Sequence, residues 1–164
     1  GVVQSAYDAS TTASATITTS IKGSSEHGHF SATVDRSGTF TATGLAGTET
    51  KRTWNGSSSG TSTRVREMDD DNEDSTKGRQ YEMTHSATWT DVVLPVPHTE
   101  NGWPLSGTVK HTMTVTITGG KDDGKTVTRE VVITFNGTAK PVATLNGESY
   151  DLDLAGRGRP HKRG

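Results

Sequence analysis

The densest chemistry in the sequence is Asp69-Asp70-Asp71-Asn72-Glu73-Asp74, five carboxylates in six residues. Hard oxygen donors at this density suit Ca²⁺, and Asp69, Asp71, Glu73 and Asp74 are the candidate ligands. A staggered calcium loop also places a glycine for its sharp turn, and this run has none. It therefore reads first as the solvated tip of a hairpin. His27 and His29 are one residue apart, a spacing that on a strand puts both imidazoles on one face, as zinc or copper sites can use. Glu26 is the only third ligand nearby, and the intervening Gly28 suggests a turn. His85 and His111 fall at equivalent places in two alternating segments, so they are expected as cross-strand neighbours within a packed face.

Nucleophilic catalysis has no foothold. Ser, His and Asp are plentiful, but there is no strand-elbow-helix pattern to expose a nucleophile and no Cys. Asp151 and Asp153 alternate against Tyr150, Leu152 and Leu154, which makes them the solvent side of a strand rather than a carboxylate pair for acid–base work. Glycine-rich stretches join strands, never strand to helix, so a phosphate cradle lacks its helix N-terminus. No cofactor is implied, and the chain is expected not to be an enzyme.

Binding chemistry is better represented. Trp54 and Trp103 lie beside a turn and in a Pro-rich connection, where aromatic faces could stack on sugar rings. Asn55-Gly56-Ser57 and Asn136-Gly137-Thr138 fit the glycosylation sequon at Asn55 and Asn136, although Asn-Gly is equally the preferred hairpin turn. The C-terminal segment gathers Arg157, Arg159, His161, Lys162 and Arg163 around Pro160, a basic arm that could meet an acidic groove or the Asp69–Asp74 run of another copy.

The elements that must position these residues are strands. Leu, Ile, Val and Phe together make up only 26 of 164 residues, yet the net charge is just −2, so disorder by composition is not indicated. Threonine replaces the missing aliphatics. It is β-branched and tolerates water, which suits the polar half of an alternating strand. The near-neutral charge argues against nucleic acid as a bulk partner, and no apolar run approaches the length of a membrane helix. No Cys means no disulfide and no thiolate metal site. The sequence opens at Gly1 without Met, which predicts a processed form.

Alternation is clearest over Gln80–Thr90, with Tyr81, Met83, His85, Ala87 and Trp89 on one face, and over Thr108–Thr118, with Val109, His111, Met113, Val115 and Ile117 inward. An earlier strand carries Ala13, Ala15, Ile17 and Ile21 on one face. Phe30 to Val34 is expected to turn at Arg36-Ser37-Gly38 and return through Phe40 and Ala42. Glu49–Trp54 and Thr61–Met68 are expected to flank a Gly/Ser loop at Asn55–Gly60. Gly119–Gly124, Asn136-Gly137 and Asn146-Gly147 are turns between Thr126–Phe135, Ala139–Leu145 and Ser149–Leu154. Asp91–Gly107, with three prolines, is the longest irregular connection and is expected to cross between sheets. The expectation is an all-β chain: an antiparallel β-sandwich of about ten short strands over residues 13–155, with an extended N-terminal arm (1–12) and a basic C-terminal tail (156–164).

The stretch Val131 to Leu154, containing Val-Val-Ile-Thr-Phe-Asn-Gly-Thr and Leu-Asn-Gly-Glu-Ser-Tyr-Asp-Leu-Asp-Leu, resembles the C-terminal hairpins of Thr-rich bacterial envelope proteins, many of them lipoprotein-like. The resemblance implies export and a β fold, and no activity. The lipid-bearing Cys of a lipoprotein has no counterpart here. The functional expectation is a non-enzymatic structural protein, extracellular or in the cell envelope. It would self-associate as a filament or matrix subunit by strand addition, with Ala13, Ala15, Ile17, Ile21, Arg157, Arg159, Lys162 and Arg163 at the contacts. The alternative is a secreted carbohydrate-binding module using Trp54 and Trp103.

Overall fold

The computed structural model describes residues 6, 8, 10–67, 78–98, 102–156 and 161–162. Nine strands follow one another in chain order as a single antiparallel meander: β1 (Ser14–His27), β2 (Phe30–Thr43), β3 (Lys51–Arg66), β4 (Arg79–Pro95), β5 (Ser106–Thr118), β6 (Thr126–Thr134), β7 (Val142–Leu145), β8 (Glu148–Asp151) and β9 (His161–Lys162). A short 3₁₀ turn, Gly120–Asp122, links β5 to β6, and no α-helix occurs among the described residues.

The all-β expectation holds, but the sandwich of about ten short strands does not. There is one sheet, and its strands are long: β2 has 14 residues, β3 16, β4 17 and β5 13. Two supposed turns are strand interior. Arg36-Ser37-Gly38 lies in the middle of β2, and Asn55–Gly60 in the middle of β3. The turn from β1 to β2 is instead Gly28-His29, with Gly28 at φ 56 in the position where a two-residue hairpin needs positive φ. The span expected to cross between sheets begins in β4 and ends in β5, and those two strands pair in the same sheet.

The physical reason for the misplaced turns lies on the neighbouring strands. Gly56 sits in β3 between Phe40 of β2 and Trp89 of β4, whose rings meet edge to face with centroids 4.8 Å apart. A Cβ on Gly56 would lie 2.6 Å from Phe40 Cδ1 and 2.6 Å from the Thr39 carbonyl oxygen. The glycine is there for close approach, not for turning.

Pairing registers divide the sheet into two faces. One carries Ile17, Phe40, Trp54, Trp89, Val109 and Ile133, and is called the aromatic face here. The other is a carpet of Thr and Ser, with hydroxyl pairs Thr16–Thr41 at 2.9 Å, Thr114–Thr128 at 3.0 Å and Thr116–Thr126 at 3.2 Å. The ion pairs Lys22–Asp35 (2.9 Å) and Lys110–Glu130 (2.8 Å) also lie on this threonine face.

With one layer there is little to bury against. The buried apolar residues among those described are Ala42, Leu45, Ala87, Val92 and Ala143, with Ala42, Leu45 and Val92 near the end of the sheet where β2 finishes and β3 begins. The chain exposes 11558 Å². A compact 17.4 kDa monomer would expose about 7,900 Å², so the excess is roughly half as much again. Ile17, Ile21 and Phe30 are each more than half exposed on the aromatic face.

Candidate functional site

Two features stand out from a plain sheet: the free edge of β1 and a cationic cluster on the aromatic face.

β1 pairs with β2 over its whole length and is the first strand in the sheet order. A two-residue hairpin makes His27 and Phe30 a hydrogen-bonded pair, and antiparallel bonding then alternates up the ladder. Odd-numbered residues of β1 therefore bond to β2. Ser14, Thr16, Thr18, Ser20, Lys22, Ser24 and Glu26 aim their backbone N–H and C=O groups away from it. The Leu45 N–H donating to the Ala13 carbonyl at 3.2 Å extends the same parity. At the far side β8 and β9 offer only 4 and 2 residues, so β1 is the long open edge.

Ala15, Ile17 and Ile21 lie on the aromatic face of β1, and Ala13 just precedes it. The expected contact residues Ala15, Ile17 and Ile21 thus belong to a strand of the chain's own sheet. Before it, Asp8 Oδ1 accepts from the Ser10 N–H (2.8 Å) and hydroxyl (2.6 Å).

The cationic cluster follows from register. Arg36, Gly60, His85, Met113 and Arg129 stand in one row across β2 to β6, all on the aromatic face. A Cβ on Gly60 would come within 2.8 Å of both Arg36 Cγ and His85 Cε1, so those side chains converge over the glycine. His111 joins from the next row, its ring centroid 6.3 Å from that of His85. The expected histidine pairing holds as a diagonal contact, with Met113 directly opposite His85. Burial lowers the His85 pKa, and the positive Arg36 and then His111 push it the same way. Arg36 also borders an open depression of about 290 Å³ whose lining includes Arg64, Ser25, Ser62 and Val34.

Charge is sorted by face. Arg36, Arg52, Arg64, Arg66, Arg79 and Arg129 all fall on the aromatic side by register. The carboxylates of β1 to β6 that stand in regular register, Glu26, Asp35, Glu82 and Glu130, fall on the threonine side, as do Lys22, Lys51 and Lys110. Arg66 stacks over the Phe30 ring at 5.5 Å. Sequence reasoning missed this cluster because it broke β2 and β3 at the residues that position it. With both strands continuous, the even parity of every arginine in them is the available signal.

The other expected sites separate. Asp69, Asp71, Glu73 and Asp74 lie outside the described residues, as do Arg157, Arg159 and Arg163; Lys162 belongs to β9. Among the described residues no three His, Asp or Glu are placed to hold a metal. His27 ends β1 while His29 stands in the hairpin turn, so the two do not share a strand face. Asn55 does not sit at a turn. Its Nδ2 donates to Asp91 Oδ1 at 3.0 Å and its Oδ1 accepts the Asp91 N–H at 2.8 Å, clamping the bulge where β3 and β4 slip register. Asn136 is at a turn: its Oδ1 accepts from the Thr138 hydroxyl (2.8 Å) and N–H (3.1 Å). Trp54 is within β3 and half-buried, with its indole Nε1 buried and without a hydrogen-bond partner among the described residues. Trp103 is half-buried in the connection to β5.

No family model, curated protein or solved structure matches this chain.

Proposed function

We propose that the chain is a non-enzymatic structural protein of the cell exterior, built to assemble with copies of itself by adding a strand to the open edge of β1. One observation carries this reading: the outward backbone groups of Ser14, Thr16, Thr18, Ser20, Lys22, Ser24 and Glu26 form a template along a 14-residue strand that pairs with no strand but β2 among the described residues. Lys22 is the one cation guarding that edge, and its ammonium is held by Asp35 on the threonine face. The exposed Ile17, Ile21 and Phe30 support the same reading, since they lie on or beside β1 where a second copy would cover them. Strand addition here extends a sheet, so it differs from the donation of a loose arm into a groove.

Proline at an outward position removes the template donor without breaking a β1–β2 bond. Ser20→Pro and Thr18→Pro are therefore expected to abolish self-association seen by sedimentation and negative-stain microscopy, with the circular dichroism of the sheet preserved. Assembly that survives both substitutions contradicts edge addition.

A further inference from the structure

We infer that the aromatic face binds an acidic glycan, seated on Arg36, Arg64, His85, His111 and Arg129. Four observations lead there. Arg36 and His85 converge over Gly60, where any side chain on β3 would fill the gap. Arg36 and Arg64 border one open depression whose remaining polar lining includes the hydroxyls of Ser25 and Ser62. Arg36, Arg64 and Arg129 are exposed and form no ion pair among the described residues. The carboxylates in regular register on β1 to β6 are on the opposite face, so the attraction is not cancelled locally.

A guanidinium presents a planar fork that fits a carboxylate or sulfate with two parallel hydrogen bonds. Ligand spacing follows from the row. Arg36 and Arg129 stand four strands apart, hence about 19 Å, while Arg36 and His85 meet over Gly60 and act as one position. That suits a polymer with one acidic group per two sugar rings better than a nucleic acid, whose phosphates are far denser. A net charge of −2 also disfavours a dense polyanion. The hydroxyls of Ser25 and Ser62 supply neutral hydrogen bonding for sugar hydroxyls. The binding surface therefore shifts from the Trp54 and Trp103 region to the arginine row, and it stands whether or not β1 pairs with another copy.

The groups facing His85 are Arg36 from β2, Met113 and His111 from β5, and Arg129 beyond Met113 on β6, with Gly60 contributing no side chain from β3. An anion on Arg36 offsets the positive charge beside His85 and favours its protonated form. Binding thus takes up a proton and strengthens as pH falls.

The probe is an octasaccharide of alternating glucuronic acid and N-acetylglucosamine, titrated calorimetrically into the full chain. Expected results are saturable binding that tightens between about pH 8 and pH 5.5 and weakens as salt rises from about 0.1 M to about 1 M. Arg36→Gln and Arg64→Gln should each lower affinity roughly tenfold or more. Lys22→Gln and Lys110→Gln, on the threonine face, should leave it unchanged. His85→Gln should weaken binding most at low pH and flatten the pH response. Thermal unfolding of each variant identifies loss of fold, and Arg129→Gln, toward the far end of the row, provides an independent variant. No binding overturns the inference, as does affinity indifferent to Arg36→Gln and Arg64→Gln, equal binding of a carboxyl-reduced octasaccharide, or tighter binding of a DNA duplex of equal charge.

Discussion

Replacing Gly56 by alanine tests the most unusual packing in the sheet. The added Cβ would stand 2.6 Å from Phe40 Cδ1, 2.6 Å from the Thr39 carbonyl oxygen and 2.9 Å from Phe40 Cα. Two of these atoms are backbone on the adjacent strand and cannot rotate aside, so β2 and β3 must part locally and the Phe40–Trp89 contact must open. Overpacking of this kind costs about 1–3 kcal/mol, and backbone contacts place it near the top of that range. Alanine returns about 0.4–1 kcal/mol by restricting the unfolded chain. The net expectation is a loss of about 2 kcal/mol, or about 4–8 °C in Tm for a chain of this length. Urea unfolding should show a lower midpoint with an unchanged slope. Gly23→Ala is the matched control: its Cβ would meet only Val34 Cγ1, at an ordinary 3.6 Å. Trimming Phe40 to Leu in the Gly56→Ala background should recover only part of the loss, since the Thr39 carbonyl remains. A Gly56→Ala chain as stable as the Gly23→Ala chain would refute the close approach of β2 and β3 at this point.

Asn55→Ala removes both bonds of the bulge clamp and leaves the Asp91 N–H without its acceptor, an expected loss of about 1–2 kcal/mol by chemical unfolding. Asn55→Asp should be worse, because it loses the amide donor and sets two carboxylates together. The depressed His85 pKa predicts a pH dependence with a definite sign: the unfolded chain binds this proton more readily, so the contribution is full above the ordinary histidine value, near pH 6.5, and is lost as pH falls through the lower folded value. His85→Gln should remove that part of the stability profile. Arg36→Gln should move the His85 titration, followed by NMR, upward toward the ordinary value, and an unmoved titration would mean that Arg36 and His85 do not converge.

The sequence makes β4 and β5 plain because their alternation is chemically stark, Tyr81, Met83, Ala87 and Trp89 against Glu82, Thr84, Thr88 and Thr90. The turns at Gly119–Gly124 and Asn146-Gly147 are equally plain, the latter with Asn146 at φ 51 and Gly147 at φ 85. β2 and β3 were hidden because Gly38, Gly56, Ser58 and Gly60 carry turn residue types for reasons found only on neighbouring strands. Phe40, Trp89, Arg36 and His85 occupy the space that larger residues would need. Local signals cannot reveal that cause, since the clashing atoms on neighbouring strands are 16 to 25 residues distant along the chain. The sandwich expectation failed for a related reason: splitting long strands at these glycines created extra elements that then needed a second sheet. The arginine cluster was hidden by the same split, which placed Arg36 in a turn instead of on a strand face. The open β1 edge was partly visible in the alternation of Ala15, Ile17 and Ile21, but its parity required the Gly28-His29 turn.

The central claim is edge addition at β1, and sedimentation equilibrium of the Ser20→Pro chain beside the unmodified chain tests it most directly. Edge addition predicts concentration-dependent oligomers for the unmodified chain and a monomer for Ser20→Pro at every concentration. A monomeric unmodified chain, or oligomers of equal size in both, would contradict it.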